Sequence, residues 1–298
     1  MKNKYIIVFI IFFLFILSAN TAAITAQDVI NNAINTFENQ YDGIDDITIV
    51  TNNYTTYKKR VDKKDKWMTR RVEETGNGEM ISLYDGEFLW QKTPYSSEIY
   101  KTEVEYNPLE TIMLLKEMNP DYLGKEKVNG IETHVLKINK ENTKKILKSY
   151  MNPEEAEKYE AEGKVFIDGN NWLLRKMEMK VSNTEVESSE LTMTYIYKDY
   201  EKVKNLHVAY TTVMRREGME SMMNLTEEEK KQLEEQLEKY QEKLEEAPEE
   251  QKEMIKNMVG PQLEQIKEAL GMSEEVIEVQ EVKINQGLED DLFNPDKL

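Results

Sequence analysis

Lys164-Val-Phe-Ile-Asp-Gly-Asn-Asn-Trp-Leu-Leu-Arg-Lys-Met-Glu-Met-Lys-Val181 is the stretch that decides the fold. Two runs rich in β-branched, aromatic and aliphatic residues flank the turn Asp168-Gly169-Asn170-Asn171, the pattern of an antiparallel hairpin. In the second run the side chains alternate. Leu173, Arg175, Met177, Met179 and Val181 share one face, and Trp172, Leu174, Lys176, Glu178 and Lys180 the other. The next two runs keep the period of two: Leu191, Met193, Tyr195 and Tyr197 fall on one face, then Val208, Tyr210, Thr212 and Met214. Methionines and aromatics share these faces.

The same period extends toward the N-terminus. Ile47–Val50, Trp67–Val72, Met80–Tyr84, Glu87–Gln91, Ser97–Glu105, Lys125–Val128 and Ile131–Ile138 read as strands, with Asn77-Gly78, Asp85-Gly86 and Asn129-Gly130 as turns. Val276–Ile284 closes the series. No βαβ alternation occurs, so a parallel sheet is excluded. The expected fold is mainly β with helices: a single curved antiparallel sheet, an open half-barrel of about 10–11 strands, with short lid helices and an inserted α-hairpin.

The helices have their own spacing. Val29, Ile30, Ala33, Ile34 and Phe37 form one stripe over Gln27–Gln40. Pro108 and Pro120 bracket a short run, Leu109–Met118, that is apolar on most sides and must be covered or cover something. Glu141–Ala161 reads as a helical excursion. Leu225–Leu270 reads as a charged helical hairpin, with a capping box at Thr226 and Glu229 and a seam at Leu233, Leu237, Tyr240 and Leu244.

Lys2, Lys4, the apolar run Ile6–Leu17 and the small residues that follow have the form of a secretory signal, too short for a bilayer span. The expected division is 1–26 as signal peptide, cleaved after Ala23 or Ala26, and 27–298 as one domain with helical insertions at about 141–162 and 220–271. The 298 residues include no cysteine, which excludes disulfides, thiolate metal sites and a lipid-modified N-terminal cysteine. The formal charge of −18 excludes nucleic acid and anionic membrane surfaces as partners.

Catalytic patterns are absent. His134 and His207 each sit within a strand and read as half-exposed strand residues, and no metal-ligand, nucleophile-elbow or phosphate-loop motif occurs. The expectation is a protein that is not an enzyme and uses no cofactor. A sheet this large with few helices to cover it leaves an apolar concavity, and unbranched methionine suits a wall that adapts to variable guests. An acyl chain gains about 0.8 kcal/mol per buried methylene, so a 16-carbon tail is worth on the order of 10 kcal/mol in such a cavity.

Four segments resemble the outer-membrane lipoprotein carrier (LolA-like) family: Met80-Ile-Ser-Leu-Tyr-Asp-Gly-Glu-Phe-Leu-Trp90; Asn107-Pro-Leu with the apolar helix after it; Val128-Asn-Gly-Ile-Glu-Thr-His-Val-Leu136 with Gly163–Gly169 and Leu173–Met177; and Val282-Lys-Ile-Asn-Gln-Gly-Leu-Glu-Asp-Asp-Leu-Phe-Asn-Pro295. The resemblance runs from Gln27 to Pro295 outside the two insertions. It implies an incomplete barrel closed by short helices, a cavity for the acyl chains of lipoproteins or lipids, and transfer from an inner-membrane donor complex to an outer-membrane acceptor. It implies a periplasmic or otherwise exported monomer. The residues it points to as cavity wall are Trp67, Trp90, Leu173, Met177, Met179, Met193, Tyr195 and Tyr210. Leu109, Ile112, Met113 and Leu114 would form the lid helix and Lys63 its latch, in place of the family's arginine. A second function on the same scaffold is a sensor that binds lipoproteins or a membrane-anchored regulator.

Overall fold

The computed structural model describes residues 24–61, 66–75, 78–94, 96, 98–103, 111–144, 156–186, 190–218, 225–248 and 274–298, with scattered positions between 252 and 271. The first half lays down helix α1 (Ala26–Gln40) and strands β1 (Asp46–Thr51), β2 (Tyr54–Val61), β3 (Lys66–Thr75), β4 (Gly78–Tyr84), β5 (Phe88–Lys92) and β6 (Ile99–Glu103), then helix α2 (Thr111–Met118). The second half adds β7 (Asp121–Val128), β8 (Ile131–Ile138), β9 (Tyr159–Asp168), β10 (Leu174–Asn183), β11 (Glu190–Val203), β12 (Leu206–Glu217), helix α3 (Glu227–Glu246) and β13 (Glu274–Ile284).

The strands form one 13-stranded sheet in the order β6-β5-β4-β3-β2-β1-β13-β12-β11-β10-β9-β8-β7. Every neighbouring pair is antiparallel. β1 and β13 join the two halves, so the two ends of the chain meet in the middle of the sheet. Among the described residues β6 and β7 are its edges and do not pair, which leaves the barrel open, as the resemblance to lipoprotein carriers implies.

Local chemistry explains the tight connections. Asn129 (φ 50°) and Gly130 (φ 82°) both occupy the left-handed region, the two-residue hairpin turn that matches strand twist. At the Asp168 turn, one carboxylate oxygen accepts the amides of Asn170 (2.8 Å) and Asn171 (3.0 Å). Helix α1 starts on a capping box in which Thr25 Oγ1 accepts the Asp28 amide and the Asp28 carboxylate accepts the Thr25 amide.

Two sequence expectations need correction. The sheet has thirteen strands against the 10–11 expected, and β2 is one that the alternation does not reveal: Lys58, Lys59 and Arg60 are consecutive, so its two faces look alike. The helical excursion at 141–161 is also shorter than expected. Residues 140–144 are helical, 145–155 lie outside the described residues, and β9 begins at Tyr159.

Helices α1 and α2 pack together on one face of β8–β10. Val29, Ile30, Ala33 and Ile34 of α1 and Ile112, Leu115 and Met118 of α2 close on Leu136, Ile138, Val165 and Ile167. A second cluster, at the C-terminal end of α1, joins Tyr41, Ile44, Ile47, Leu206, Val208 and Ile284. The C-terminal segment runs over the opposite face: Lys59 Nζ donates to the Leu288 carbonyl at 2.5 Å and Arg70 Nη1 to the Leu292 carbonyl at 3.0 Å. Asp46 anchors its start, accepting the amides of Gln286 and Gly287 at 2.8 Å each. Helix α3 keeps the expected capping box at Thr226, and its seam of Leu233, Leu237, Tyr240 and Leu244 meets Leu263, Ile266 and Leu270.

Candidate functional site

Register places one row of side chains across the concave face: Tyr122, Leu136, Val165, Met177, Tyr195, Met214 and Glu275, one from each strand from β7 to β13. Successive members are neighbours across strands, and the odd or even parity of each strand keeps them on one side. Helices α1 and α2 cover the Leu136 and Val165 end of this row. They leave the Met177–Tyr195–Met214 part facing a cavity of about 680 Å³, a size within the roughly 300–1,000 Å³ common for small-molecule sites.

One end of the cavity is apolar. Ala33 and Phe37 of α1, Ile112 of α2 and Trp172, Leu173, Leu174 and Met177 line it. Leu174 joins Met177 here because the β9–β10 register shifts between Leu174 and Lys176, which breaks the strict alternation expected from sequence, and Leu173 lines the cavity from just before β10. Tyr200 braces this wall by donating its hydroxyl to the Leu174 carbonyl at 2.5 Å. Burial pushes the Tyr197 and Tyr200 hydroxyls well above the ordinary phenol value, so both stay neutral.

The other end is polar, where a uniformly oily wall was expected. Asn53, Tyr54, Arg71, Glu73, Arg216 and Glu275 line it. Glu275 is held by Asn53 Nδ2 and by Arg216 Nη2, the latter at 3.4 Å. The Arg71 guanidinium lies 4.5 Å from the centre of the Tyr54 ring, and its Nε is buried with no hydrogen-bond partner among the described residues. Sequence reasoning passed over all of these. The signal was present in the alternation: Trp67, Thr69, Arg71 and Glu73 share a face of β3, so placing Trp67 inside places Arg71 there too.

Of the residues expected to form the cavity wall, Leu173, Met177 and Tyr195 line it, as does Ile112 of the expected lid. Met179 and Met193 face each other in the next row and lie outside the lining, and that row continues to Arg216, which lines the polar end. Trp67 and Tyr210 pack instead on the Tyr41 and Ile44 cluster. Trp90 is opposite Leu83, which is opposite Arg70, so it stands on the face away from the cavity; its indole donates to Asp85 at 2.7 Å. Met113 packs at the edge of the helix cluster. Lys63, Leu109 and the Leu114 side chain lie outside the described residues.

A latch-like contact nevertheless exists three residues before Lys63. Arg60 donates from Nη2 to the Tyr41 carbonyl (2.6 Å) and from Nε to the Ile44 carbonyl (3.1 Å), fastening the C-terminal end of α1 to β2. His134 is buried, 3% exposed, against the half-exposed position expected; it stacks on Trp172 and meets the Tyr122 hydroxyl at 2.9 Å. Among the described residues, no three His, Asp or Glu side chains gather to hold a metal ion. No described helix is long and apolar enough to cross a membrane.

No protein-family model matches the chain, and no curated protein matches it. Among solved structures, the chain is similar to a Vibrio parahaemolyticus domain described as a candidate outer membrane lipoprotein-sorting protein, at 11% identity over 91% of this chain and 98% of that one, with a TM-score of 0.48. It is similar to a DUF1329 family protein from Desulfovibrio piger at 13% identity over 91% and 97%, with a TM-score of 0.46. A LolA superfamily protein from Nitrosomonas europaea matches at 13% identity over 93% and 100%, with a TM-score of 0.41.

Proposed function

We propose that the protein is an exported, non-enzymatic carrier that binds the acyl chains of lipoproteins or lipids in the concave cavity and ferries them across an aqueous compartment toward the outer membrane. The observation that carries this reading is the stretch Met177–Tyr195–Met214, which faces an open cavity while α1 and α2 cover the Leu136 and Val165 end of the same row. Apolar surface left beside a cavity of about 680 Å³ is what a hydrocarbon tail needs. The four segments that resemble lipoprotein carriers support the same reading, as does the signal-like N-terminus.

The direct test is mass spectrometry of lipids that co-purify with the mature protein, followed by delipidation and titration with a fluorescent acyl probe. Saturable binding at one site is expected. Absence of both co-purifying acyl chains and probe binding would remove the carrier reading.

A further inference from the structure

We propose that the polar end of the cavity is a headgroup site and that Arg71 receives the anion of an amphiphile whose hydrocarbon lies along Met214, Tyr195 and Met177. This rests on the acyl-carrier reading and adds the ligand's chemical class: a single tail or tails ending in a carboxylate or a phosphoester.

Arg71 and Glu73 stand on the concave face of β3, opposite Thr56 and Tyr54 of β2. Of the two arginines at this end, Arg216 is committed to Glu275, which Asn53 also holds. Arg71 has no carboxylate partner among the described residues, and its contact is with the Tyr54 ring at 4.5 Å. A guanidinium stacked on an aromatic face keeps its planar edge of donors free for an oxyanion. Here that edge includes a buried Nε with no acceptor among the described residues. A buried donor without a partner is costly unless a ligand supplies one. The chain carries a formal charge of −18, so an arginine without a carboxylate partner at this end of the cavity is the local feature that admits an anion. Glu73, two residues along the same face, opposes that anion and sets the sign of a second test.

The probes are cis-parinaric acid and its methyl ester, which share a tail and differ in charge. They are titrated into the delipidated mature chain at pH 7.5. The acid is expected to bind wild type about tenfold or more tighter than the ester. Arg71→Gln is expected to remove that preference and leave ester binding unchanged, while Arg71→Lys retains part of it. Glu73→Gln is expected to tighten the acid by about two- to threefold and leave the ester alone. Inorganic phosphate at millimolar concentration is expected not to displace the acid. Equal binding of acid and ester to wild type overturns the headgroup site while the carrier reading stands. The site also falls if Arg71→Gln, folded by circular dichroism, weakens both probes alike, or if phosphate alone displaces the acid. If neither probe binds wild type, the carrier reading itself fails.

Discussion

Arg60 donates to the carbonyl of Tyr41 at 2.6 Å, so one guanidinium on β2 secures the end of the helix that roofs the cavity. The same group accepts no freedom on its other side: it lies 5.1 Å from the Trp67 ring centre and bonds the Ile44 carbonyl at 3.1 Å. Lysine cannot present two donors in a fixed plane while stacking on an indole. Arg60→Lys is therefore expected to lower stability by about 1–3 kcal/mol. Urea unfolding of the two proteins measures this, and an unchanged midpoint would show that the fork is dispensable.

The ion pair of Arg175 and Asp168 makes a larger prediction. Arg175 donates from Nε (2.9 Å) and Nη2 (2.7 Å) to one oxygen of a carboxylate whose residue is 1% exposed. Removing the cation strands a buried negative charge beside the β9–β10 turn. Arg175→Met should cost about 3–5 kcal/mol, and the double change with Asp168→Asn should recover much of it. A double variant no more stable than the single one would contradict this account.

Met177 lies mid-row between Val165 and Tyr195 and lines the cavity. A carboxylate there needs water that a hydrocarbon tail excludes. Met177→Glu is expected to weaken an uncharged acyl probe by about tenfold or more. The change Met179→Glu, one step outside the lining, is the comparison and should weaken it far less. Equal losses would place the tail elsewhere.

Acid should destabilise the protein in two stages. Burial holds the His134 and His207 rings below their ordinary value of 6.5. Tyr122, Trp172, Lys125 and Glu132 surround His134, and Lys125 adds to the downward push. The unfolded chain takes up these protons first, so stability is full above about pH 6.5 and falls as pH drops toward the folded values. Asp168 acts lower. Burial raises its carboxyl, but the amides of Asn170 and Asn171 and the Arg175 guanidinium outweigh that and hold it below 3.8, so its contribution is lost as pH falls below that value. Urea midpoints between pH 8 and pH 3 trace both stages. His134→Phe should flatten the upper one, and an unaltered slope would assign that stage to other groups.

The capping box bears on signal cleavage. Thr25 and Asp28 cap α1, and Ile24 packs on the helix cluster. Cleavage after Ala26 would remove both Thr25 and Ile24, at a cost of about 1 kcal/mol for the cap alone. The expected mature N-terminus is Ile24, and N-terminal sequencing of secreted protein decides between the two positions.

Sequence by itself determined the kind of sheet. The period of two in Trp172–Val181, Leu191–Tyr197 and Val208–Met214, with turns such as Asn129-Gly130, specifies an antiparallel meander because each side chain's face is a local property of the extended backbone. The capping boxes at Thr25–Asp28 and Thr226–Glu229 are local in the same way. Which face becomes the inside, and where the cover stops, was decided only by tertiary structure. Trp90 alternates as well as Met177 does, yet pairing through Leu83 to Arg70 turns it outward. Nothing local marks Lys58, Arg60 and Arg71 as inward-facing; β1 and β13 join the two halves, and the pairing of β2 with β3 sets all three on one face. Register between distant strands is a long-range property, and a shift of one residue exchanges the faces of a whole strand. That physics is why the oily half of the cavity is legible in local alternation, while its charged half follows only once register turns the Trp67 and Arg71 face of β3 inward.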